Sequence, residues 1–266
     1  MVATALLFSL IVLLKPVFAP IAILLFVTSG NGFRLTAACA AALSIVLSLW
    51  IFGWAPHGAF FRALAEQGDR LLEPWMNSSP VSWIVPLLIG ADDYERDSFL
   101  AAPIATLVAA LRMALAAGVI AVLSGHLRRS LPDRARLSLI YNAGLLLVVA
   151  LSPVICAHYL MILFPLAAIL IAGREHLPGR SRAMLAAVLA LGLFQSFIVM
   201  RQIQLGLGID SLGEIVLFAL IKSLPAILVL SIWILDRLPV RAIFGQPAWS
   251  TVATGAGPGR ASSPDL

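Results

Sequence analysis

Three cationic side chains interrupt long apolar runs of this sequence, at Lys15, Arg112 and Lys222. A charge at membrane depth is costly and by default suggests a functional site. A lysine near a helix end can instead extend its stem and keep its ammonium in water. That alternative stays open for Lys15 and Lys222, whereas Arg112 lies near the middle of its run. If the three cations face one outward-open cavity, they favour binding of an anion such as a lipid phosphate.

Polar residues of a second kind interrupt the apolar run 137–172, where the sequence reads LSPVICAHYL at 151–160. Ser152 precedes a proline, and His158 and Tyr159 follow that proline after four intervening residues. A histidine at a membrane surface is either a ligand-binding group or an ordinary interfacial residue. The sequence alone leaves both interpretations of His158 open.

The stretch PWMNSSPVSW at 74–83 brings Asn77 and Ser79 between two tryptophans. Tryptophans at such a position are typical of the headgroup belt of a membrane protein. Asp92 and Asp93 follow in the sequence. One of them could act as a base, or they could bind a metal. The simpler interpretation is an acidic loop exposed to solvent. We find no zinc-ligand spacing, P-loop, nucleophile elbow or dinucleotide fingerprint. We therefore predict no metal and no cofactor, and leave the catalytic residues unassigned.

The composition indicates that the surface of this protein faces lipid and not only water. Of its 266 residues 61% are hydrophobic and only 12% are charged, whereas soluble domains have about 45–50% apolar and about 25% charged residues. One core of this size cannot bury the excess, so we predict an all-α, polytopic membrane helix bundle. The net charge of +5 fits basic cytoplasmic loops. No basic stripe interleaved with aromatics indicates nucleic acid.

The apolar runs set the predicted elements, because a helix needs about 20 apolar residues to cross a bilayer. Arginines cluster in the loops 126–136 and 173–182, whereas acidic residues dominate 55–98. By the positive-inside rule, the arginine-rich loops are cytoplasmic and 55–98 is an external loop. The runs are Ala3–Thr28, Leu35–Trp54, Phe99–Leu123, Leu137–Ala172, Ala183–Met200 and Ile215–Leu235.

Since both loops flanking 137–172 are cytoplasmic on this assignment, the run must cross twice or turn back. Pro153 lacks an N–H and should end the outward helix just before it. A hairpin at Lys15-Pro16 would repeat the design, giving about eight membrane segments, or seven if the first run is one kinked helix. We predict one membrane domain over 1–236 and a largely disordered cytoplasmic tail over 237–266. Both termini are then cytoplasmic, in a bacterial-type plasma membrane.

The order of these motifs resembles glycosyltransferase family 87, the polyprenyl-phosphate-mannose-dependent mannosyltransferase-like enzymes of the GT-C architecture. That family has a Lys-Pro in a membrane hairpin, an external Asn-Gln-Ser, and a Ser-Pro-x-Ser-Trp-x-His-His segment before a Leu-rich helix with proline. The resemblance covers about residues 1–175. Ser78 replaces the Gln, Ile155 and Cys156 replace the Ser-Trp, and Tyr159 stands at the second His. The matches are Lys15-Pro16, Asn77, Ser79, Ser152-Pro153, His158 and Pro165.

The resemblance implies transfer of a hexose, typically mannose, from a polyprenyl-phosphate donor lipid to an extracytoplasmic glycan or glycolipid acceptor. The catalytic aspartate of the family lies in its first external loop, which we expect to precede Met1 of this chain. The residues expected to bind substrate, from the resemblance and the intramembrane charges together, are Lys15, Asn77, Ser79, Arg112, Ser152, His158, Tyr159 and Lys222.

Two other classes of function stay open at this point. A transporter or lipid flippase also uses broken helices and intramembrane charges, although no internal repeat is visible in the sequence. A catalytically inactive membrane remnant, or a scaffold for a partner chain, is the third hypothesis.

Overall fold

The computed structural model describes residues 18–69, 77–90, 100–155, 157–193, 211–236 and 238–244, together with positions 202, 203, 205, 206 and 208. Within these ranges the chain forms helices joined by turns. The helices are α1 (Ala19–Thr28), α2 (Asn31–Phe52), α3 (Trp54–Asp69), α4 (Ile84–Ile89), α5 (Ala102–Leu127), α6 (Asp133–Leu151), α7 (Phe164–Ala172), α8 (Gly179–Leu193), α9 (Leu212–Leu235) and α10 (Val240–Phe244), with 3₁₀ segments at Ala157–Leu163 and Arg174–His176.

Four helices of the described ranges, α2, α5, α6 and α9, are long and apolar enough to cross a membrane. They have 19 to 26 residues, which at 1.5 Å per residue gives about 29–39 Å, enough for a hydrocarbon core of about 30 Å. The predicted helical membrane protein is thus confirmed at this level. The apolar helix α1 and the apolar stretch Leu160–Ala172 are shorter, so the seven to eight segments stay a prediction.

Helix α6 lies at the centre of the packed helices and is buried on most sides. Leu139, Leu146 and Val149 are fully buried, and α6 packs against both α1 and α5. Gly144 allows α1 to approach closely, because a Cβ at this position would lie 2.9 Å from the backbone Cα of Ile21. The charge pattern of the sequence does not reveal this central role.

The interruption at 152–160 separates α6 from the next helix, as the proline predicts. Helix α6 ends at Leu151, and Ser152 is its C-terminal cap, so the prediction that the helix stops before Pro153 is confirmed. The chain resumes as the 3₁₀ segment Ala157–Leu163 and continues into α7, whose first turn contains Pro165.

One end of the bundle collects arginine-rich segments, and we call it the basic end: the loop 128–132, the turn 174–178 and α10. The Arg180 Nε donates to the Asp236 carboxylate at 2.5 Å, which joins the start of α8 to the end of α9. Helix α10 packs against α6 and α7. Its residues Val240, Ile243 and Phe244 are buried in the main apolar cluster, so the packed region extends past the predicted boundary at residue 236.

Helices α2 and α3 form an arm that contrasts with this core. Most large apolar side chains of α2 are exposed, among them Leu43, Val46 and Trp50. The arm turns sharply at Gly53, where the backbone has φ +72° and ψ −176°.

Three predictions of the sequence fall outside the described residues. They concern the hairpin at Lys15-Pro16, the acidic pair Asp92 and Asp93, and the part of the tail that follows residue 244.

Candidate functional site

Asn77 joins two segments that are far apart in the sequence. Its Nδ2 donates to the backbone carbonyl of Pro153 at 3.2 Å. Its Oδ1 accepts from the backbone N–H of Ile155 at 3.1 Å and from that of Ser79 at 2.9 Å. The side chain is buried, so these bonds supply partners that water would otherwise provide. Asn77 therefore fixes the segment 77–79 onto the turn that follows α6.

Serine groups extend the same junction. The backbone N–H of Ser78 donates to the Ile155 carbonyl at 2.6 Å, and the Ser79 hydroxyl donates to the Ser152 carbonyl at 3.4 Å. The Ser152 hydroxyl donates to the Val154 carbonyl at 2.7 Å, within its own turn. The predicted site residues Asn77, Ser79 and Ser152 are thus brought together, although more than 70 residues separate the first two from the third. We use the name polar junction for Asn77, Ser79 and Ser152 together with Ser82 and Ser223.

Ser82 connects the polar junction to α9. The hydroxyls of Ser82 and Ser223 lie 2.9 Å apart and share a hydrogen bond. The Ser82 hydroxyl also lies 2.8 Å from the Ser79 carbonyl, and the Ser223 hydroxyl 2.7 Å from the Ala219 carbonyl. Because each hydroxyl has one proton, one serine donates to the other, and that other serine donates to its own carbonyl. Sequence reasoning missed both serines. The available signal was Ser223 next to Lys222 inside an otherwise apolar helix, and Ser82 within the same short stretch as Asn77.

Lys222 is fully buried, at 0% exposure, so its ammonium does not extend into water. It lies between Ala219 and Ala226 on α9, both of them fully buried. Arg112 is half-buried and lies one turn from Val108 and one turn from Ala116, which are buried residues of α5. Both cations therefore belong to helix faces that are turned toward the interior of the protein.

Helices α5 and α9 run in the same direction, which relates the depths of the two cations. Near their C-terminal ends, the Trp233 Nε1 donates to the Val119 carbonyl at 3.4 Å. Nearer their N-terminal ends, Ser223 bonds to Ser82, and the neighbouring Val81 packs in one cluster with Val108.

Lys222 lies eleven residues before Trp233 on α9, and Arg112 lies seven residues before Val119 on α5. At 1.5 Å per residue the two Cα atoms differ in depth by roughly 6 Å. The side chains of lysine and arginine are long enough to bring their charged ends to the same depth despite this difference.

An apolar cavity of about 470 Å³ lies beside the polar junction, between α5, α9 and residues 80–84. One of its ends is formed by Pro80 and Trp83, and the other by Ile234 and Leu235. Its α9 wall runs from Ile227 to Leu235, a distance of about 12 Å along the helix. The cavity can therefore hold part of an extended hydrocarbon chain with one end near the polar junction.

The remaining predicted site residues are described only in part. His158 and Tyr159 lie in the 3₁₀ segment Ala157–Leu163, and the structure describes only the backbone of these two residues. Lys15 lies outside the described residues. Within the described part of the chain, no group of three or more His, Cys, Asp or Glu side chains is placed to hold a metal ion.

The chain was also compared with known proteins. It matches no protein-family model, no curated protein and no solved structure.

Proposed function

We propose that this chain is a multi-pass membrane glycosyltransferase of a bacterial-type plasma membrane. It transfers a hexose, typically mannose, from a polyprenyl-phosphate donor to an extracytoplasmic glycan or glycolipid. The basic end faces the cytoplasm, because arginines are retained on that side, and the polar junction then lies toward the outer face. The proposal assigns no catalytic base.

One observation carries the proposal. The two sequence segments that resemble family 87, Asn77-Ser-Ser79 and Ser152-Pro153, are joined by side-chain hydrogen bonds. Ser82, a few residues on, bonds to Ser223 of α9, which directly follows the buried Lys222. Motifs that merely shared a composition would have no reason to meet. Their meeting, in a junction whose α9 member directly follows Lys222, supports a single site for a ligand that has a polar, anionic end.

The chemistry of a polyprenyl-phosphate sugar fits this arrangement. Its phosphate is the leaving group, so negative charge develops there as the glycosidic bond breaks, and a fixed cation stabilises that charge. Lys222 and Arg112 supply the cations in this proposal, since arginine and lysine are the side chains that bind phosphate. The apolar cavity takes part of the prenyl chain, and the Asn77 bonds hold the turn that forms the rim of the site.

The polar junction itself has a positioning role in this proposal. The Asn77 amide oxygen already accepts two backbone N–H groups, which uses both of its lone pairs. Asn77 therefore shapes the site and does not bind the sugar through that oxygen.

The test uses the purified chain in lipid nanodiscs with radiolabelled polyprenyl-phosphate-mannose, measuring donor binding and transfer to an added glycolipid acceptor. We expect Lys222→Gln and Arg112→Gln each to weaken donor binding about 10-fold to 100-fold, since a hydrogen bond to a charged group contributes about 1.5–3 kcal/mol. The matched control is Arg129→Gln, an exposed arginine of the basic end, which should bind the donor like the unmodified chain.

Three outcomes separate the hypotheses. Donor binding with transfer supports the glycosyltransferase. Donor binding without transfer, together with movement of the lipid between the leaflets of a vesicle, would favour a lipid flippase. Donor binding that Lys222→Gln and Arg112→Gln leave unchanged would refute the proposed phosphate site.

A further inference from the structure

The arm formed by α2 and α3 has an unusual arrangement at its bend. Helix α2 is a candidate membrane span whose surface is exposed along almost its whole length. Aromatic side chains surround the point where it ends: Trp50, Phe52 and Trp54 are 81%, 64% and 69% exposed. Exposed tryptophans at the end of a membrane span are typical of the membrane–water interface. The bend at Gly53 therefore lies at the level of the lipid headgroups.

Gly53 makes the sharp bend possible. Its φ of +72° and ψ of −176° lie in a region of backbone conformation that is open essentially only to glycine. A Cβ at this position would meet no atom within 4 Å. The requirement for glycine is therefore one of backbone conformation and has nothing to do with space.

His57 fixes the direction in which α3 leaves the bend. Its Nε2 lies 2.9 Å from the Ser48 hydroxyl, one turn before the end of α2. Its Nδ1 lies 2.7 Å from the Gly53 carbonyl. Both ring nitrogens are thus satisfied within the chain. The face of α3 that carries His57 consequently faces α2, which is the side of the membrane.

The same face of α3 carries the aromatic residues. With 100° per residue, Trp54, Phe60 and Phe61 surround the direction of His57, and all three are exposed. Arg62 and Glu66, both exposed, point roughly 140° away from the mean direction of the three aromatics. Helix α3 therefore has an apolar face turned toward the membrane and a charged face turned toward water.

We infer that α3 is an interfacial helix that lies on the bilayer surface, with Trp54, Phe60 and Phe61 inserted among the lipids. The occupant of its apolar face is lipid, because this face continues the lipid-exposed surface of α2 across the bend. Helices of this kind insert their apolar face about 5–10 Å into the boundary between headgroups and acyl chains. Helix α3 carries Arg62 against Glu66 and Asp69, and this negative balance gives insertion no need of anionic lipid. The inference holds whichever reaction the bundle performs.

The experiment places single spin labels on the full chain in nanodiscs of zwitterionic lipid, after Cys39 and Cys156 have been replaced by alanine. Labelled cysteines replace Phe60, Phe61, Arg62 and Glu66, one at a time. Their collision rates with oxygen, which partitions into lipid, are compared with those of a water-soluble nickel chelate. We expect positions 60 and 61 to favour oxygen and positions 62 and 66 to favour the chelate.

Two results would overturn the inference. If all four labels favour the chelate, α3 lies in water. If the labels at 60 and 61 are shielded from both reagents, a second copy of the chain or another protein covers the face. All four positions are exposed, so labelling them should not prevent folding, and size-exclusion chromatography checks this.

A glycine pair tests the bend separately. Gly53→Ala should abolish the difference between positions 61 and 62, because alanine cannot keep the bend. Gly58→Ala, inside α3, should preserve it, since a Cβ there meets only ordinary contacts at 3.6 Å or more. If Gly53→Ala keeps the difference, the role assigned to Gly53 is wrong.

Discussion

The polar junction and the α2–α3 arm use the same residue types for opposite purposes. In the junction, Asn77 is buried and bonds to three backbone groups of two segments. In the arm, Asn31 is exposed and its amide oxygen accepts one long bond, 3.5 Å, from Arg34. The comparison shows that burial, more than residue type, gives a polar group its influence on the fold. Removing a buried hydrogen-bond partner leaves the groups that it bonded without any partner, whereas water takes the place of an exposed partner.

The sharpest test of this comparison replaces each asparagine by alanine. Asn77→Ala should lower the free energy of unfolding by roughly 3 kcal/mol, because two backbone N–H groups and one carbonyl lose their partner in a buried place. Asn31→Ala should cost less than about 0.5 kcal/mol, as is usual for surface substitutions. Thermal unfolding of the purified protein in detergent measures both. Equal losses would mean that the junction contributes no more than the exposed arm.

A glycine pair probes close packing in the same two regions. Gly144→Ala should destabilise the protein by about 2 kcal/mol, since the new methyl group meets the backbone of Ile21 at 2.9 Å and must push α1 away from α6. Gly32→Ala on α2 meets nothing within 4 Å. It should be neutral or stabilise by up to about 1 kcal/mol, because alanine restricts the unfolded chain. The same unfolding assay applies, and a stable Gly144→Ala protein would contradict the contact between α1 and α6.

The sequence predicted individual residues of the polar junction and the end of α6 better than it predicted the contacts between these segments. Pro153 predicts the end of α6, because proline has no N–H to donate and restricts the residue before it, and the helix does end at Leu151. The resemblance to family 87 singled out Asn77 and Ser152. Neither pattern specifies that the Asn77 amide reaches the Pro153 carbonyl, because that bond depends on how α6 packs against the rest of the chain.

Lys222 shows a second reason for incomplete prediction. Its position, ten residues into α9, leaves open whether its stem extends to the interface or stays inside, since both fit an apolar helix. The structure buries it completely. Ala219 and Ala226 on the same face were a usable signal, because small residues mark the faces along which membrane helices approach closely. Ser223 would have been found by the same argument.

The contact between Ser82 and Ser223 offers a finer test of how the junction is joined to α9. Each hydroxyl also lies within hydrogen-bond distance of a backbone carbonyl, and the serine that accepts the shared bond donates its own proton to its carbonyl. Replacing that serine by alanine therefore removes more than the shared bond. A double-mutant cycle of Ser82→Ala and Ser223→Ala isolates the pair. We expect a coupling energy of about 1 kcal/mol, the usual net contribution of a neutral hydrogen bond. Additive losses would mean that the two segments pack side by side without the bond.

The smallest effect should come from the corresponding serine of the arm. Ser48→Ala removes the bond to His57, but Ser48 is only half-buried, and water can replace its hydroxyl at the histidine ring. The free energy of unfolding should therefore fall by less than about 0.5 kcal/mol, while the spin-label contrast between positions 61 and 62 of α3 should decrease. His57→Ala is the companion variant and should decrease the contrast further, because it also removes the bond to the Gly53 carbonyl. A loss of stability as large as that of Ser82→Ala would place the bend of the arm within the packed core, and the comparison between the two regions would then fail.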